Sequence, residues 1–492
     1  MIESLFWLAI LLLVVISLWW DSVRRPSLPG PPSLPVIGNL HHVSTQSPWI
    51  GITALGKRYG DVTYFHGLGY NVLVLNTRKS INDLLEKRAD IYSHRPRFVL
   101  GGELMGMDQS TPLMNYGPEW REHRKLAHGS LSSAAVKRYH RVQEDIAAVL
   151  CKELLNDPTN FYNHARVAAG RVVMSVTYGL SIEAGSTYVK HTEDVMEMAG
   201  RTIVPAAHLC DVLPVLKYLP SWVPFRRYAE KWKAKINNDI VGMPFEHVKE
   251  EMRKGTAVPS LATDLLASED ASEQEHHIKW VLGSMFNAGM ETTYGILLTF
   301  ILAMAQHPDK QQLAQAEIDQ LLQEENRMPL ISDMPSLPYV SALIKETLRW
   351  HPILPFSIAR QTAVDDEYLG HKIAKGTIVM PNAWAVAFTP NEKYDPDEFL
   401  PERFMDKDVE VEDPFTYVFG FGRRTCPGKA LAQNSLSTFI PSILYSFNIS
   451  LSDEDFAHPN FLPGLVSYPE PFQCHIVPRS KEHAERVKKR AT

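Results

Sequence analysis

A cysteine in a loop rich in glycine and arginine is the residue of this chain best suited to chemistry. Cys426 lies in Phe419-Gly-Phe-Gly422-Arg-Arg424-Thr-Cys426-Pro-Gly428, which reads Phe-x-x-Gly-x-Arg-x-Cys-x-Gly. A cysteine just ahead of a helix start meets free backbone N–H groups and the positive end of the helix dipole, and both favour the thiolate. A thiolate can be the axial ligand of a haem iron and push electron density into it, which favours O–O cleavage. The flanking glycines let backbone approach a flat cofactor closely, and Arg424 can meet a haem carboxylate. On the loop alone, a buried cysteine in a glycine-rich turn is the other reading.

A second cluster sits inside a long helical stretch, Ala288-Gly289-Met290-Glu291-Thr292-Thr293. An acid and two β-branched alcohols beside a glycine are poor choices for a plain buried helix. Such local rule-breaking points to a functional site, although an ordinary kinked core helix fits the same residues. Ala288 and Gly289 leave room for a small ligand. Thr292, at i+4 from Ala288, can bond the carbonyl there and bend or open the turn. Glu291 can then carry protons from solvent. Two weaker signals accompany these. Glu346-Thr-Leu-Arg349 puts a carboxylate and a guanidinium on one helix face, and Trp120-Arg-Glu-His-Arg124 does the same for an indole and a guanidinium.

These motifs, in the order Trp120/Arg124, Ala288–Thr293, Glu346/Arg349, Pro401-Glu-Arg403-Phe404 and Phe419–Gly428, resemble those of the cytochrome P-450 family across residues 26–480. The resemblance implies a mainly α (α+β) fold, a helix-rich haem domain with small peripheral sheets, and haem b held through Cys426. It implies that Trp120, Arg124, Arg360, Phe419, Arg424 and Gly428 hold the haem. Glu291 and Thr292 would serve oxygen activation, and Glu346, Arg349 and Arg403 would form a buried structural triad. By position, Phe98, Phe286, Asn287, Ala288, Thr293, Ile353, Phe356 and Leu462 would line a substrate pocket, mostly apolar and so suited to a lipophilic molecule. Electrons would come from an NADPH-dependent reductase, with a b-type cytochrome as a further donor, because the chain has no Gly-x-Gly-x-x-Gly fingerprint of its own. Lys125, Arg423 and Lys429 are candidates for docking it, although each is equally a solvated surface charge. The first reading is a monooxygenase. A haem-thiolate isomerase or dehydratase, and a non-catalytic haem protein, are the alternatives. The closing Gly464-to-Cys474 segment resembles fungal members of secondary metabolism in style, with a terpenoid preferred over polyketide and indole substrates.

The elements that must position these groups can be read from pattern. With 492 residues, 45% hydrophobic, the chain has ample material for a large core. A net charge of −6 argues against nucleic acid as a partner. Four scattered cysteines make neither a disulfide framework nor a zinc pattern. Alternation predicts a hairpin over residues 60–78, and long 3.6-residue periods predict helices from about Ser80 to Trp350. Short strands are expected near Phe356–Thr362, Glu367–Ile373, Thr377–Pro381, Phe447–Leu451 and Phe472–Val477. The central helix is expected to start at a Ser272-x-x-Glu275 capping box and stop at His307-Pro308. The stretch Gly255–Glu273 reads as an exposed connector.

The N-terminus differs in kind. Leu5–Trp20 is apolar apart from Ser17 and is followed by Arg24-Arg25. It predicts a membrane anchor over residues 1–20, single-pass in the endoplasmic reticulum, with the main body cytoplasmic. A cleaved signal peptide is the rival reading. A proline-rich hinge over residues 21–40 precedes the catalytic domain, residues 41–492. The proline-broken segment Leu213–Arg227 is apolar and aromatic, and fits either an interfacial patch or a loop packed on the domain.

Overall fold

A computed structural model describes residues 28–491 apart from 35–36, 45, 181–194, 196–197, 206 and 453–459. The anchor expected over residues 1–20 and the first residues of the hinge lie outside the described residues. Helix α1 (Pro48–Tyr59) leads into the hairpin of β1 (Val62–Gly67) and β2 (Tyr70–Leu75), paired from Val62↔Leu75 to Gly67↔Tyr70. Helices α2 (Pro118–Leu131), α3 (His140–Asn156) and α4 (Phe161–Tyr178) follow. Next come α5 (Pro224–Lys235), α6 (Met243–Lys254), α7 (Glu275–Gln306), α8 (Pro308–Leu322) and α9 (Pro338–Trp350). Strands β3 (Arg360–Gln361), β4 (Asp366–Tyr368), β5 (His371–Ile373) and β6 (Ile378–Pro381) precede α10 (Lys429–Ser446). Strands β7 (Phe447–Leu451) and β8 (Cys474–Pro478), then α11 (Lys481–Arg490), close the chain. The main sheet has the order β1-β2-β6-β3, with β2 and β6 parallel; β4–β5 and β7–β8 are separate antiparallel pairs.

Helix α7 is the axis of the molecule. Its 32 residues span roughly 48 Å at about 1.5 Å each. It is long and apolar enough to cross a membrane by composition, yet it is largely buried inside the protein. It packs on α2, α4, α9 and α10. A small residue permits the close approach of α4: a Cβ on Gly289 would sit 2.9 Å from Val173 Cγ2. Gly289 thus brings two helices together and does not open space for a ligand, contrary to the expectation from sequence.

Two boundary expectations fail for local reasons. The capping box at Ser272 does not form; α7 is preceded by Gln274 with no side-chain cap. Glu275, which should have reached back, is instead held by Lys249 of α6 at 2.9 and 3.0 Å, and turns onto the Asp270 carbonyl occupy residues 270–274. The connector Gly255–Glu273 is also not wholly exposed. Ser260 caps a short helix, Leu261–Leu266, and buries Leu261 and Ala262. Of the cysteines outside the loop, Cys151 and Cys210 are buried and Cys474 half-buried, all three free thiols.

Candidate active site

The loop before α10 approaches the middle of α7 across a cavity of about 310 Å³ open to the centre of a water molecule. The wall of this cavity includes Cys426, Phe419 and Gly420 from the loop, Asn287, Ala288, Thr292 and Thr293 from α7, and Ile353 after α9. Cys426 is accessible by surface area, but what it faces is this internal space. Its own N–H bonds the Phe419 carbonyl at 2.8 Å, which closes the loop. Burial pushes the thiol up, while the Gly428 N–H, Arg124 and Lys429 pull it down. The helix start therefore favours the thiolate, as the sequence suggests, but burial outweighs it. A coordinating metal deprotonates such a thiol outright.

The loop glycines divide by role. Gly420 lines the cavity with φ +78°. Gly422 does not face it: a Cβ there would meet the Leu85 carbonyl oxygen at 2.2 Å, and its N–H bonds Glu86 at 2.7 Å. Gly422 seats the loop on the neighbouring segment and makes no approach to a cofactor. Gly428 lies beside the sulfur, where a Cβ would make ordinary contact at 3.8 Å.

Around the loop, four guanidiniums converge on the cavity or its edge, Arg424 from the loop itself. Arg360 is buried, with Nη2 donating to the Phe421 carbonyl at 2.6 Å. Arg424 donates to the carbonyls of Ser93 and Met114, and its guanidinium lies 4.6 Å from the Trp120 ring centre. Arg124 donates to Thr425 O at 2.8 Å and covers the same indole at 5.7 Å. Arg95, which the sequence reading missed, lines the cavity and donates to Pro112, Ile358 and Ala359 carbonyls. Burial pushes Arg360 down to about 10, against the pull of Glu86, and burial with repulsion from Arg360 and Arg124 pushes Arg424 down to about 9. Among the described residues, Arg360 Nη1 and Arg424 Nη1 are buried with no hydrogen-bond partner. Buried cations with spare donors, and no acidic side chain among the described residues of the cavity wall, suit an anionic ligand bearing carboxylates. This set fits a flat cofactor with two propionates, which the arginines would hold, and an iron, which Cys426 would hold.

On α7, Thr292 Oγ1 donates to the Ala288 carbonyl at 2.9 Å, the bond expected from the spacing. The helix nevertheless continues through this turn without opening. Glu291 turns away from the cavity. It is buried against α4, its Oε1 accepting from Tyr468 at 2.8 Å and lying 3.6 Å from Arg166 Nη2. Thr292 and Glu291 thus sit on different sides of one helix, because adjacent helical residues are about 100° apart.

Of the eight pocket candidates, Asn287, Ala288, Thr293 and Ile353 line the cavity. Phe98 and Phe286 are buried in the apolar core instead. Phe356 packs on Ile52, Phe65 and Val74 under the main sheet. Leu462 is tied to Tyr468 by its backbone, and the cavity wall on that side is Leu465 and Val466. Further wall residues that the sequence did not single out include Val195, Ile203, Ile236 and Ser284. Asp211 Oδ1 accepts from the N–H groups of Val99 (2.6 Å) and Leu100 (3.2 Å), joining two segments distant in sequence.

Glu346, Arg349 and Arg403 come together behind the loop. Arg349 Nε and Nη2 donate to the Glu346 carboxylate at 2.7 and 2.9 Å, and Arg403 Nε is 3.1 Å away. Of the docking candidates, Arg423 pairs with Asp90 and bonds Tyr116, and Lys125 pairs with Glu122 at 3.3 Å.

The family model for cytochrome P450 matches residues 28–476. Among similar proteins, cytochrome P450 monooxygenase COX2 of Coprinopsis cinerea is 37% identical, over 92% of this chain and 89% of that protein. Tryptamine 4-monooxygenase of Psilocybe cyanescens is 35% identical, over 94% of each chain. Cytochrome P450 monooxygenase claR of Ampulloclitocybe clavipes is 34% identical, over 95% of this chain and 89% of that protein. The chain therefore belongs to the cytochrome P450 family, the haem-thiolate monooxygenases.

Proposed function

We propose that this protein oxidises a neutral, lipophilic small molecule with O₂ and electrons delivered from NADPH by a reductase, in fungal secondary metabolism. The observation that carries this reading is a single cavity bearing both Cys426 and Thr292, with a wall otherwise mostly apolar. Haem, when bound, supplies the one-electron chemistry and, with a thiolate behind it, the cleavage of dioxygen. Cys426 would hold the iron through its sulfur. Trp120, Arg124, Arg360 and Arg424, with Arg95, are assigned to the cofactor's carboxylates, and Phe419 and Gly428 to its flanks. Thr292 holds a hydroxyl at the cavity wall, while Glu291 lies on the α4 side of the same helix with Tyr468 and Arg166. Among the described residues lining the cavity none is Asp or Glu, so a cationic amine would enter without a counter-charge. Terpenoid skeletons fit such a wall best, with polyketides and indoles as the other classes to test.

Thr292→Ala is expected to keep haem and substrate binding while product formed per NADPH falls about tenfold or more, the electrons leaving as hydrogen peroxide. Peroxide and product titrated against NADPH, with reductase present, check this. Wild-type coupling in the variant removes Thr292 from the mechanism, and product formation without NADPH or reductase favours an isomerase or dehydratase instead.

The domain is proposed to sit on the cytoplasmic face of the endoplasmic reticulum, anchored by residues 1–20. A second contact supports this. Leu209, Val215, Tyr218 and Trp222 form an exposed apolar patch, Tyr218 and Trp222 being 79% and 78% accessible, and Lys217, Arg226 and Arg227 flank it. An aromatic patch ringed by bases suits a bilayer interface. In lipid nanodiscs, brominated acyl chains should quench a fluorescence component that Trp222→Phe removes. An unchanged quenching profile in that variant would place the patch in water.

A further inference from the structure

Glu291 faces α4 and not the cavity, yet each O₂ reduced to product and water consumes two protons. A different polar chain does reach the cavity. Thr111 and Ser284 both line it. The Thr111 N–H donates to Ser284 Oγ at 3.0 Å, and Ser284 Oγ donates to the Trp280 carbonyl at 2.5 Å. The Thr111 hydroxyl is 3.0 Å from His123 Nδ1. His123 is fully buried on α2, and its Nε2 is 3.2 Å from His277 Nδ1 on α7. His277 is half-buried, and the ring of exposed His276 is 5.9 Å from it.

We propose that His277, His123 and Thr111 form a proton relay from solvent into the cavity, with His123 as its central shuttle. The inference rests on the monooxygenase reading above. An imidazole is suited to this task because it can take a proton at one ring nitrogen and release another from the opposite one. A hydroxyl does the same with its lone pair and proton. No atom is oxidised in these steps. Each transfer makes one N–H or O–H bond as it breaks the next, and before the next proton the hydroxyl rotates and the imidazole N–H exchanges back between the two ring nitrogens.

The electrostatics agree with a neutral shuttle. Burial pushes His123 down to about 4, helped by His277 and His276, so it is uncharged at neutral pH. His276 is lowered by burial, His277 and Lys279, against the pull of Glu119. Delivery inside the cavity follows the helix. Ser284, Ala288 and Thr292 are at i, i+4 and i+8, one face of α7, and all three line the cavity. Ser284 and Thr292 are about 12 Å apart along the axis. At about 2.8 Å per hydrogen bond, three or four waters inside the cavity would bridge them.

The test compares His123→Gln and His277→Leu in the full-length, haem-loaded protein with reductase. Gln can bond both Thr111 and His277 but has no tautomer that passes a proton, so it separates relay from scaffold. Coupled turnover is expected to fall about a hundredfold in His123→Gln. The solvent deuterium isotope effect should rise, and the rate, flat in the wild type, should drop as pH rises across the neutral range. Substrate binding shifts should stay unchanged. A readout independent of turnover is exchange of the His123 ring N–H with water by NMR: rapid in the wild type and slowed about tenfold or more in His277→Leu. Wild-type isotope effect and pH profile in His123→Gln would reduce His123 to a structural bridge and overturn the relay. Should that variant not fold, His277→Leu at the half-exposed end decides the matter by the same measurements. Failure of the wild type itself to consume NADPH with substrate would count against the monooxygenase reading and leave the exchange measurement standing.

Discussion

Cys426→Ser is expected to abolish the red-shifted band of the reduced carbon monoxide complex and to cut turnover by more than about a hundredfold, since even outer-shell partners of a metal are worth 10–100-fold. The sulfur faces the cavity beside the Gly428 N–H and the Arg124 guanidinium. A serine there would fit, because the loop is closed by backbone: Cys426 N–H to Phe419 O at 2.8 Å and Arg424 N–H to Phe421 O at 3.2 Å. The variant should therefore fold. What it loses is a soft anionic ligand, for an alcohol stays protonated where a thiol ionises on binding metal. Spectra of the reduced complex and haem content per chain are the measurements. A thiolate band that survives the substitution would sink the ligand assignment.

Glu346→Ala is expected to prevent accumulation of folded, haem-loaded protein. Glu346, Arg349 and Arg403 are nearly inaccessible, and the carboxylate faces both guanidiniums. It also accepts the Leu400 N–H at 2.7 Å. Arg349 donates onward to the carbonyls of Pro396 and Glu398, and Arg403 to those of Asp395 and Glu398. The triad thus ties α9 to the segment 395–403 that precedes the cysteine loop. Removing the anion leaves two cations buried together, at a cost of about 3–5 kcal/mol. Total stability is about 5–15 kcal/mol, so this loss is a large fraction of it. The exposed pair Lys488–Glu485, at 2.9 Å, is the control; Glu485→Ala should change stability by no more than about 1 kcal/mol. Denaturant unfolding and haem content of both variants check the contrast. Equal behaviour of the two would remove the triad's folding role.

Much of the fold was legible because its signals are local. The hairpin over residues 60–78 appears as β1 and β2, since alternation marks a half-buried strand pair. Helix α9 runs from Pro338 to Trp350 as its flanking prolines require. The start of α7 was misplaced because Glu275 found Lys249, a partner distant in sequence.

The sequence by itself determined the chemistry: a cysteine in a glycine-arginine loop, an alcohol on a central helix and a Glu-x-x-Arg pair, each a spacing that local backbone geometry enforces. Only the tertiary structure decided which way the groups on α7 face. That helix is buried on nearly every side, so no polar face marks the cavity in the sequence. Packing against α4 turned Gly289 and Glu291 away and left Ala288 and Thr292 on the cavity wall. The same holds for Arg95 and His123, whose partners come from segments far apart in the chain. Their roles depend on convergence, which no local spacing records.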